Sequence, residues 1–312
     1  LSLVIGCIYM KRQSDDAYSK HPLSVTSVFL FVCSIMLIIS ALNEFANISL
    51  PLFFSWFSLG VVMFAAYIIK SFTAPYPLVD LSLLKHKGFM SVVVIRFVIM
   101  YFMVTFLFIV PLLMQNIFNF SALKTGYYLL IMGVFVAVLS PVTGKLIDDC
   151  GAKIFILLSS VFALFTSLGF VFISEHLSLV TLMILLVGYG LAVGFNLTAS
   201  VAAVDAQVPK RLSNIALGVF FTVALAGVSL GVAASGAILS FFSRRYVAAS
   251  NLVMSSEQRD AFLQVANGAH SYQWFVQQSK ISLPSSYEEI SKQAFFCGLH
   301  NVGLVLIVLA FI

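Results

Sequence analysis

The sequence predicts an all-α polytopic membrane protein, and three observations support this fold class. The first is composition: 61% of the 312 residues are hydrophobic and 9% are charged, whereas soluble globular domains carry about 25% charged residues. The second is a series of eight apolar stretches, each near the roughly 20 residues that a helix needs to cross a bilayer. The third is that nearly all charges lie between those stretches. A water-soluble fold is therefore excluded.

The apolar stretches are predicted to be helices, because in lipid every backbone N–H and C=O must pair within a helix or a closed barrel. They are too long for barrel strands, which need about 9–11 residues. Residues 1–10 have the composition of the end of a ninth span, and the last stretch runs to the final residue. We therefore expect the chain to be part of a longer protein. The predicted spans are, in order, residues 24–42, 52–69, 89–114, 125–143, 154–174, 179–201, 212–242 and 294–312.

The connections divide the chain into three predicted segments. Residues 1–23 hold the end of a preceding transmembrane helix and an inside loop. Residues 24–87 hold two transmembrane helices and an inside linker that contains prolines and lysines. Residues 88–312 form a six-helix bundle with a long outside segment, 243–293, whose mixed amphipathic spacing predicts one or two short surface helices.

The basic residues sort by connection and thereby predict the orientation. Ten Lys and Arg residues lie in the first, third, fifth and seventh connections, whereas the short alternate connections hold only Lys124. Positive residues mark the cytoplasmic side of a membrane protein, which places residue 11 inside and the 43–51 connection outside. Because the basic residues form no patch on one face, nucleic acid is not expected as a partner despite the net charge of +5.

The sequence carries no signature of an enzyme or of a bound cofactor. It has no glycine-rich phosphate loop, no Cys/His spacing typical of a metal site and no Ser/His/Asp set that could converge at one depth. All twelve Asp and Glu residues fall in loops or at predicted helix ends. Intramembrane carboxylates are the usual proton carriers of coupled transporters, so proton-driven chemistry would need a carboxylate from outside this chain.

Arg96 is the one strong charge inside a predicted span. It lies nine residues after Lys87, about 13 Å along a helix. Two interpretations stay open: the long side chain reaches back to the inner interface, or it faces an aqueous cavity and contacts an anionic group. The same spans contain neutral polar residues that form either interhelical hydrogen bonds or a cavity lining. These are Tyr101, Thr105, Tyr189, Asn196 and Thr222.

Two pairs of glycines have the spacing that lets membrane helices approach closely. Gly190 and Gly194 form one pair, and Gly227 and Gly231 form the other. Such pairs serve either static packing or an interface that slides during a conformational change.

A ten-residue segment carries the first of several resemblances to a known family. Residues 144–153, GKLIDDCGAK, resemble the G-x-L-x-D-R-x-G-R/K loop that joins the second and third helices of a six-helix half in the major facilitator superfamily. We expect an inside loop in which two glycines permit the turn and the aspartate lies at a helix N-terminus. The predicted gating residues of this segment are Gly144, Leu146, Asp148, Gly151 and Lys153.

Three further segments narrow the resemblance to the fourteen-helix drug:proton antiporter branch. Residues 77–85, PLVDLSLLK, followed by Phe89, resemble the P-L/I-V-D-L-x-L-F-K/R-x-R-x-F linker of that branch. Residues 111–115, PLLMQ, also match it, and residues 227–231, GVSLG, are similar to its G-G-S-I-G. The resemblance implies a C-terminal six-helix transporter half preceded by two inserted helices.

The resemblance also implies a site. In this family two six-helix halves rock about a central cavity, which implies that the spans 89–114, 125–143, 179–201 and 212–242 line it. Arg96 and the five neutral polar residues named above are then the candidate cavity residues. Three positions depart from the family pattern, because Asp149, Ile131 and Ala224 stand where relatives often have Arg, Pro and Arg.

The function implied is proton-coupled efflux of hydrophobic or amphipathic drugs across a bacterial inner membrane. The expected partners are a small-molecule substrate, protons, the lipid bilayer and a six-helix N-terminal half that is missing from this sequence. A periplasmic adaptor and an outer-membrane channel are further candidate partners. The alternatives are export of a siderophore, a lipid or another metabolite, and a non-transporting fragment that acts as a scaffold.

Overall fold

The structure, a computed structural model, is built of α-helices. It describes residues 25–44, 50–73, 86–173, 178–250, 252, 256–268, 275–276 and 285–311. Within these ranges there is no β-strand, and the predicted all-α fold class is confirmed. The helices are α1 (Val25–Glu44), α2 (Leu50–Thr73), α3 (Lys87–Asn116), α4 (Ala122–Cys150), α5 (Ala152–Val171), α6 (Leu179–Gln207), α7 (Ser213–Ala249), α8 (Ser256–Ala266) and α9 (Ser285–Ala310), with a 3-10 turn over Lys210–Leu212.

Seven of the described helices, α2 to α7 and α9, are long and apolar enough to cross a membrane by length and composition. Helix α1 forms where a span was predicted, with a shorter apolar stretch over Phe29–Ile38. Several helices extend beyond the apolar stretch that predicted them, because a helix keeps its backbone hydrogen bonds after it leaves the hydrocarbon. Residues 243–249 and 285–293 accordingly belong to α7 and α9, whereas the sequence assigned them to the outside segment 243–293.

Serine caps begin two of the spanning helices. The Ser121 hydroxyl accepts a hydrogen bond from the backbone N–H of Lys124 at 3.3 Å and begins α4. The Ser178 hydroxyl accepts one from the backbone N–H of Thr181 at 3.1 Å and begins α6. Each cap satisfies one of the N–H groups that lack a partner in the first turn of a helix.

Helices α3 to α7 and α9 pack into one bundle. Helix α3 packs on α7 and α4 packs on α6, while α5 lies against α6 and α9. Two buried apolar clusters fill the interior, one around Phe106 and Leu186 and the other around Phe89 and Phe220. Helices α1 and α2 pack on each other, and α1 also contacts α7. The α1–α2 hairpin therefore stands beside the six-helix bundle.

Helix α8 is folded onto the end of the bundle predicted to lie outside. Its Phe262 is fully buried and packs in a small apolar cluster with Val247 of α7 and Ala294 of α9. The side chain of Asn116, at the end of α3, donates a 2.8 Å hydrogen bond to the backbone carbonyl of Gly268. One or two short surface helices were predicted in this segment, and in its described part α8 packs on the ends of α3, α7 and α9.

The predicted division of the chain is only partly covered by the structure. Segment 1–23 and linker positions 74–85 lie outside the described residues. The described part of 24–87 forms the α1–α2 hairpin, and the described part of 88–312 forms the bundle with α8. The boundary at residue 87 stays a prediction.

Candidate functional site

Arg96 is held inside the bundle by residues of α6 and α7. Its Nη1 donates hydrogen bonds to Asn196 Oδ1 at 3.3 Å and to Ser200 Oγ at 3.1 Å. The Ser200 hydroxyl in turn donates to the backbone carbonyl of Asn196 at 2.6 Å. The guanidinium carbon lies 5.1 Å from the ring centroid of Phe220, a distance at which a cation is attracted to an aromatic ring. We call Arg96, Asn196 and Ser200 the polar centre.

The position of Arg96 corrects one of the two interpretations of the sequence. Its side chain is 5% exposed and bonds across to α6, so in this conformation it does not reach back to the inner interface. The hydrogen-bond acceptors on α6 explain this, because a charged group in a low-dielectric interior is stabilised only by polar partners. Among the described residues, no carboxylate forms an ion pair with Arg96.

The polar centre has more hydrogen-bond donors than acceptors. Arg96 Nε and Asn196 Nδ2 are both buried and have no hydrogen-bond partner among the described residues. Buried polar groups are nearly always paired, and an unpaired one costs about 1–3 kcal/mol or more when charged. The centre is therefore short of an acceptor and of a negative charge.

Two other predicted cavity residues lie where α3 meets α7. Thr105 and Ser235 share a hydrogen bond of 2.7 Å between their hydroxyl oxygens. Tyr101, one turn before Thr105 on α3, is also buried. Both Tyr101 and Thr105 therefore face the neighbouring helix in this conformation, as expected for residues that join two membrane helices.

Tyr189 lies at the contact between α6 and α3. Its ring stacks on Phe106 with a centroid distance of 4.4 Å, and Phe106 meets Phe170 of α5 edge-on at 5.0 Å. The Tyr189 hydroxyl donates a long hydrogen bond, 3.4 Å, to the backbone carbonyl of Met103. Tyr189 thus belongs to the aromatic interior of the bundle.

Thr222 lies apart from the other predicted cavity residues. It is exposed on α7, and its hydroxyl donates to the backbone carbonyl of Gly218 at 2.8 Å. It lines an apolar groove of about 300 Å³ between the α1–α2 hairpin and the bundle, together with Phe31, Phe64 and Phe97. The structure does not bring Thr222 together with Arg96 through any described hydrogen bond.

The two glycine pairs lie at close contacts between helices, α6 with α4 and α7 with α3. A Cβ atom on Gly190 would come within 2.6 Å of the Phe135 Cβ of α4, and one on Gly194 within 2.9 Å of the Leu139 Cβ. On α7, a Cβ on Gly227 would come within 2.6 Å of the Phe97 carbonyl oxygen of α3. These contacts leave no room for a larger residue, because real Cβ atoms do not approach other atoms so closely.

Gly231 continues the contact of Gly227 along the same face of α7. A Cβ on Gly231 would come within 2.9 Å of the Tyr101 carbonyl oxygen and 2.5 Å of the Val104 side chain. Together the two glycines let the α7 backbone lie directly against that of α3.

The segment predicted as a gating loop is mostly helical, which corrects the expectation from the sequence. Gly144, Leu146 and Asp148 lie in α4, which continues to Cys150, and Lys153 lies in the first turn of α5. Asp148 is therefore near a helix C-terminus and not at an N-terminus as expected. Its side chain is exposed, so it stays hydrated beside the negative end of the helix dipole.

Gly151 alone makes the turn between α4 and α5. Its backbone has φ +77°, and its N–H donates to the Ile147 carbonyl at 2.8 Å. Positive φ is readily adopted only by glycine. Gly144 has ordinary helical geometry, so only one of the two glycines permits the turn.

Three members of this site, Ser200, Phe220 and Ser235, were not singled out from the sequence. Ser200 follows Asn196 by four residues, and that spacing places both on one face of a helix. This signal was available. Phe220 and Ser235 gave no such signal in the sequence, because phenylalanines and small residues recur throughout α7. In the described part of the chain, no group of three or more His, Cys, Asp and Glu side chains is arranged to hold a metal ion.

Comparison with known proteins identifies the family of the chain. The model of the Major Facilitator Superfamily matches residues 92–255. The riboflavin transporter RibZ of Clostridioides difficile is 22% identical over 75% of this chain and 50% of its own length. The quinolone resistance protein NorB of Staphylococcus aureus is 24% identical over 78% of this chain and 52% of its own length. The lincomycin resistance protein LmrB of Bacillus subtilis is 27% identical over 49% of this chain and 32% of its own length.

These matches agree with the resemblance found in the sequence. Two of the relatives are resistance proteins, as expected for the drug:proton antiporter branch, and the relatives are transporters or resistance proteins by name. The chain spans about half the length of the curated relatives it matches. The family model covers more than half of the chain. The chain is a multi-pass membrane protein that belongs to the major facilitator superfamily.

Proposed function

We propose that the chain forms the C-terminal half, with the inserted helix pair, of a fourteen-helix exporter in a bacterial inner membrane. The exporter expels hydrophobic or amphipathic compounds in exchange for protons. The observation that carries this proposal is the family match over residues 92–255, together with relatives named for resistance to quinolones and lincomycin. Resistance by a membrane transporter requires movement of the drug out of the cell, so export is the direction proposed.

The polar centre supports a substrate pathway along α3 and α6. Ionisable residues inside a membrane are expensive and mark substrate or ion pathways. Arg96 lies on α3 and Asn196 on α6, two of the four helices that the resemblance assigns to the cavity wall. Tyr101, Thr105 and Tyr189 lie on the same two helices, and they are proposed to meet the substrate when these helices part. Thr222 is proposed to line the side of the cavity near the inserted pair.

The apolar parts of the described helices contain no carboxylate, so another residue has to carry the proton. In the described spanning helices, acidic residues such as Asp148, Asp205 and Glu288 lie near the helix ends. We therefore propose that the N-terminal six-helix half supplies the membrane carboxylate as well as the other wall of the cavity. A periplasmic adaptor and an outer-membrane channel are proposed partners on the outer side, where α8 is predicted to lie.

The α4–α5 turn and the glycine contacts are the proposed moving parts. The segment Gly144–Lys153 is proposed to gate the inner side, with Gly151 as its turn and Lys153 beside it. The Gly190/Gly194 and Gly227/Gly231 contacts are proposed to let one helix shift along another, because a glycine has no side chain of its own to hold the facing helix.

Efflux from cells that carry the complete gene tests the proposal. Cells are loaded with ethidium, a fluorescent amphipathic cation, and loss of fluorescence is compared with that of cells carrying an empty vector, with and without a protonophore. We expect faster efflux than in the vector control, and we expect the protonophore to remove the difference. Efflux that survives the protonophore would exclude proton exchange. No difference from the vector for ethidium and for a panel of uncharged and anionic dyes would favour the non-transporting scaffold.

A further inference from the structure

The polar centre holds a buried charge and buried donors that no described residue pairs. Arg96 carries a positive charge and is 5% exposed, and Asn196 is 1% exposed. The two acceptors on α6, Asn196 Oδ1 and Ser200 Oγ, are both already used by Arg96 Nη1. The N–H of Arg96 Nε and the NH₂ group of Asn196 have no partner among the described residues.

The chemistry of the missing partner follows from the donors that are left over. Arg96 Nε offers one N–H and Asn196 Nδ2 offers two, and none of these atoms can accept a hydrogen bond. A water molecule would supply acceptors without charge. A carboxylate supplies two oxygens with about four lone-pair sites and one negative charge, and it matches the planar fork of an arginine.

We propose that the polar centre formed by Arg96, Asn196 and Ser200 is a carboxylate-binding site. This inference deepens the proposed function and rests on it, since Arg96 and Asn196 are buried and a ligand would reach them through the proposed cavity between α3 and α6. The carboxylate comes either from an amphipathic substrate or from a residue of the N-terminal half. Phe220, packed on the guanidinium at 5.1 Å, provides an apolar surface for the hydrocarbon part of the ligand.

Binding of three matched aromatic probes tests the site in the whole transporter, purified in detergent from the complete gene. Benzoate, benzyl alcohol and benzylamine share one ring and differ in charge. Ligand binding raises the unfolding temperature by mass action, so thermal unfolding reports it. If the substrate provides the carboxylate, benzoate stabilises the protein and the other two probes do not. In Arg96→Gln the apparent affinity for benzoate falls at least tenfold.

Two further variants keep the test decisive. Arg245→Gln removes an exposed arginine at the far end of α7 and controls for net charge, so benzoate binding is expected to be unchanged. Arg96→Lys keeps the charge but loses the planar fork, and it is expected to bind benzoate several-fold more weakly than the unmodified protein. Arg96→Lys replaces Arg96→Gln in the test if the latter does not yield a helical, monodisperse protein.

Infrared spectroscopy distinguishes the second source of the carboxylate. If the N-terminal half provides it, benzoate does not bind, and loss of Arg96 leaves a buried acid that takes up a proton. A carbonyl stretch of a protonated carboxylic acid then appears in Arg96→Gln, which loses the positive charge, and not in Arg245→Gln. The inference is overturned if benzoate does not bind and no new band appears. It is also overturned if benzoate binds equally well to Arg96→Gln, or if benzyl alcohol binds the unmodified protein as well as benzoate does. Ethidium efflux, measured on the same protein, separates this failure from failure of the proposed function.

Discussion

Arg96 and Asn196 are 100 residues apart in the sequence, and a 3.3 Å hydrogen bond between Nη1 and Oδ1 joins them inside the bundle. The bond connects α3 to α6, two helices whose other mutual contacts are largely apolar. It places a charged group at a depth where the chain itself offers no described counter-ion. The contact is therefore an informative place to test how this bundle handles a buried charge.

Substitution of Asn196 by aspartate is expected to stabilise the protein by roughly 1.5–3 kcal/mol, the scale of a hydrogen bond between charged groups. The carboxylate has nearly the shape of the amide, gives Arg96 a counter-ion and removes the unpartnered Nδ2. Thermal unfolding of the purified protein in detergent measures the change.

The same substitution at Asn301 is the control. Asn301 lies on α9, and its amide donates to the backbone carbonyl of Cys297 at 2.8 Å. An aspartate there loses this bond and brings an unpaired charge into the bilayer, so Asn301→Asp is expected to be destabilising. Equal destabilisation by both variants would contradict the electrostatic account of the polar centre.

Glycine contacts between helices give the second prediction. Gly231→Ala is expected to destabilise the protein by about 1–3 kcal/mol, because the added Cβ would overlap Val104 and come within 2.9 Å of the Tyr101 carbonyl oxygen. Gly218→Ala on the same helix meets nothing within 4 Å. It is expected to be neutral or stabilising by up to about 1 kcal/mol, since alanine is the better helix former. Equal unfolding temperatures for the two variants would show that the α3–α7 contact is loose.

How far the sequence predicts this molecule depends on which physical signal each feature leaves. The membrane spans and the fold class leave a strong signal in the sequence, because lipid requires long apolar helices. Helices that are apolar on all sides leave no sign of which face meets which neighbour. Arg96 and Asn196 could therefore be singled out separately, while their pairing could not. The depth and rotation of α3 and α6 decide whether Arg96 and Asn196 meet. Packing over the whole bundle sets that depth and rotation.

The α4–α5 turn shows a second limit. Gly144 and Gly151 occupy equivalent places in a motif that suggests a loop, but a helix continues wherever no residue interrupts its hydrogen bonds. Lys145 to Cys150 contain no such residue, so α4 continues until Gly151 adopts positive φ.

This contrast gives the third prediction. Gly151→Ala is expected to destabilise the protein by about 1–2 kcal/mol, because the left-handed conformation crowds a Cβ against the backbone. Gly144→Ala places its Cβ 3.5 Å from the Thr198 side chain, an ordinary contact in helical backbone, and is expected to be neutral. Chemical or thermal unfolding of the two variants is the measurement. A larger effect at Gly144 would restore the loop that the sequence suggested.

The fourth prediction concerns the attachment of α8 to the bundle. The Asn116 amide donates to the backbone carbonyl of Gly268 at 2.8 Å, across 152 positions of sequence. Loss of this bond in Asn116→Ala removes about 1 kcal/mol from the contact, which corresponds to a roughly fivefold rise in the population of locally open states. Hydrogen exchange, followed by mass spectrometry on the protein in detergent, is expected to show this rise for the amides of residues 256–268.

Exchange in the long helices should stay unchanged in Asn116→Ala, because the other bond of the Asn116 amide, to Leu112 O, lies within its own helix and α3 retains its backbone hydrogen bonds. Asn301→Ala is the matched control, since the Asn301 amide bonds only to its own helix among the described residues. It is expected to leave exchange in 256–268 as it is in the unmodified protein. If Asn116→Ala also leaves it unchanged, α8 is held by the packing of Phe262 and Val265 and by the hydrogen bond from the Asn267 amide to Ser240 Oγ, and the hydrogen bond at the end of α3 contributes no measurable stability.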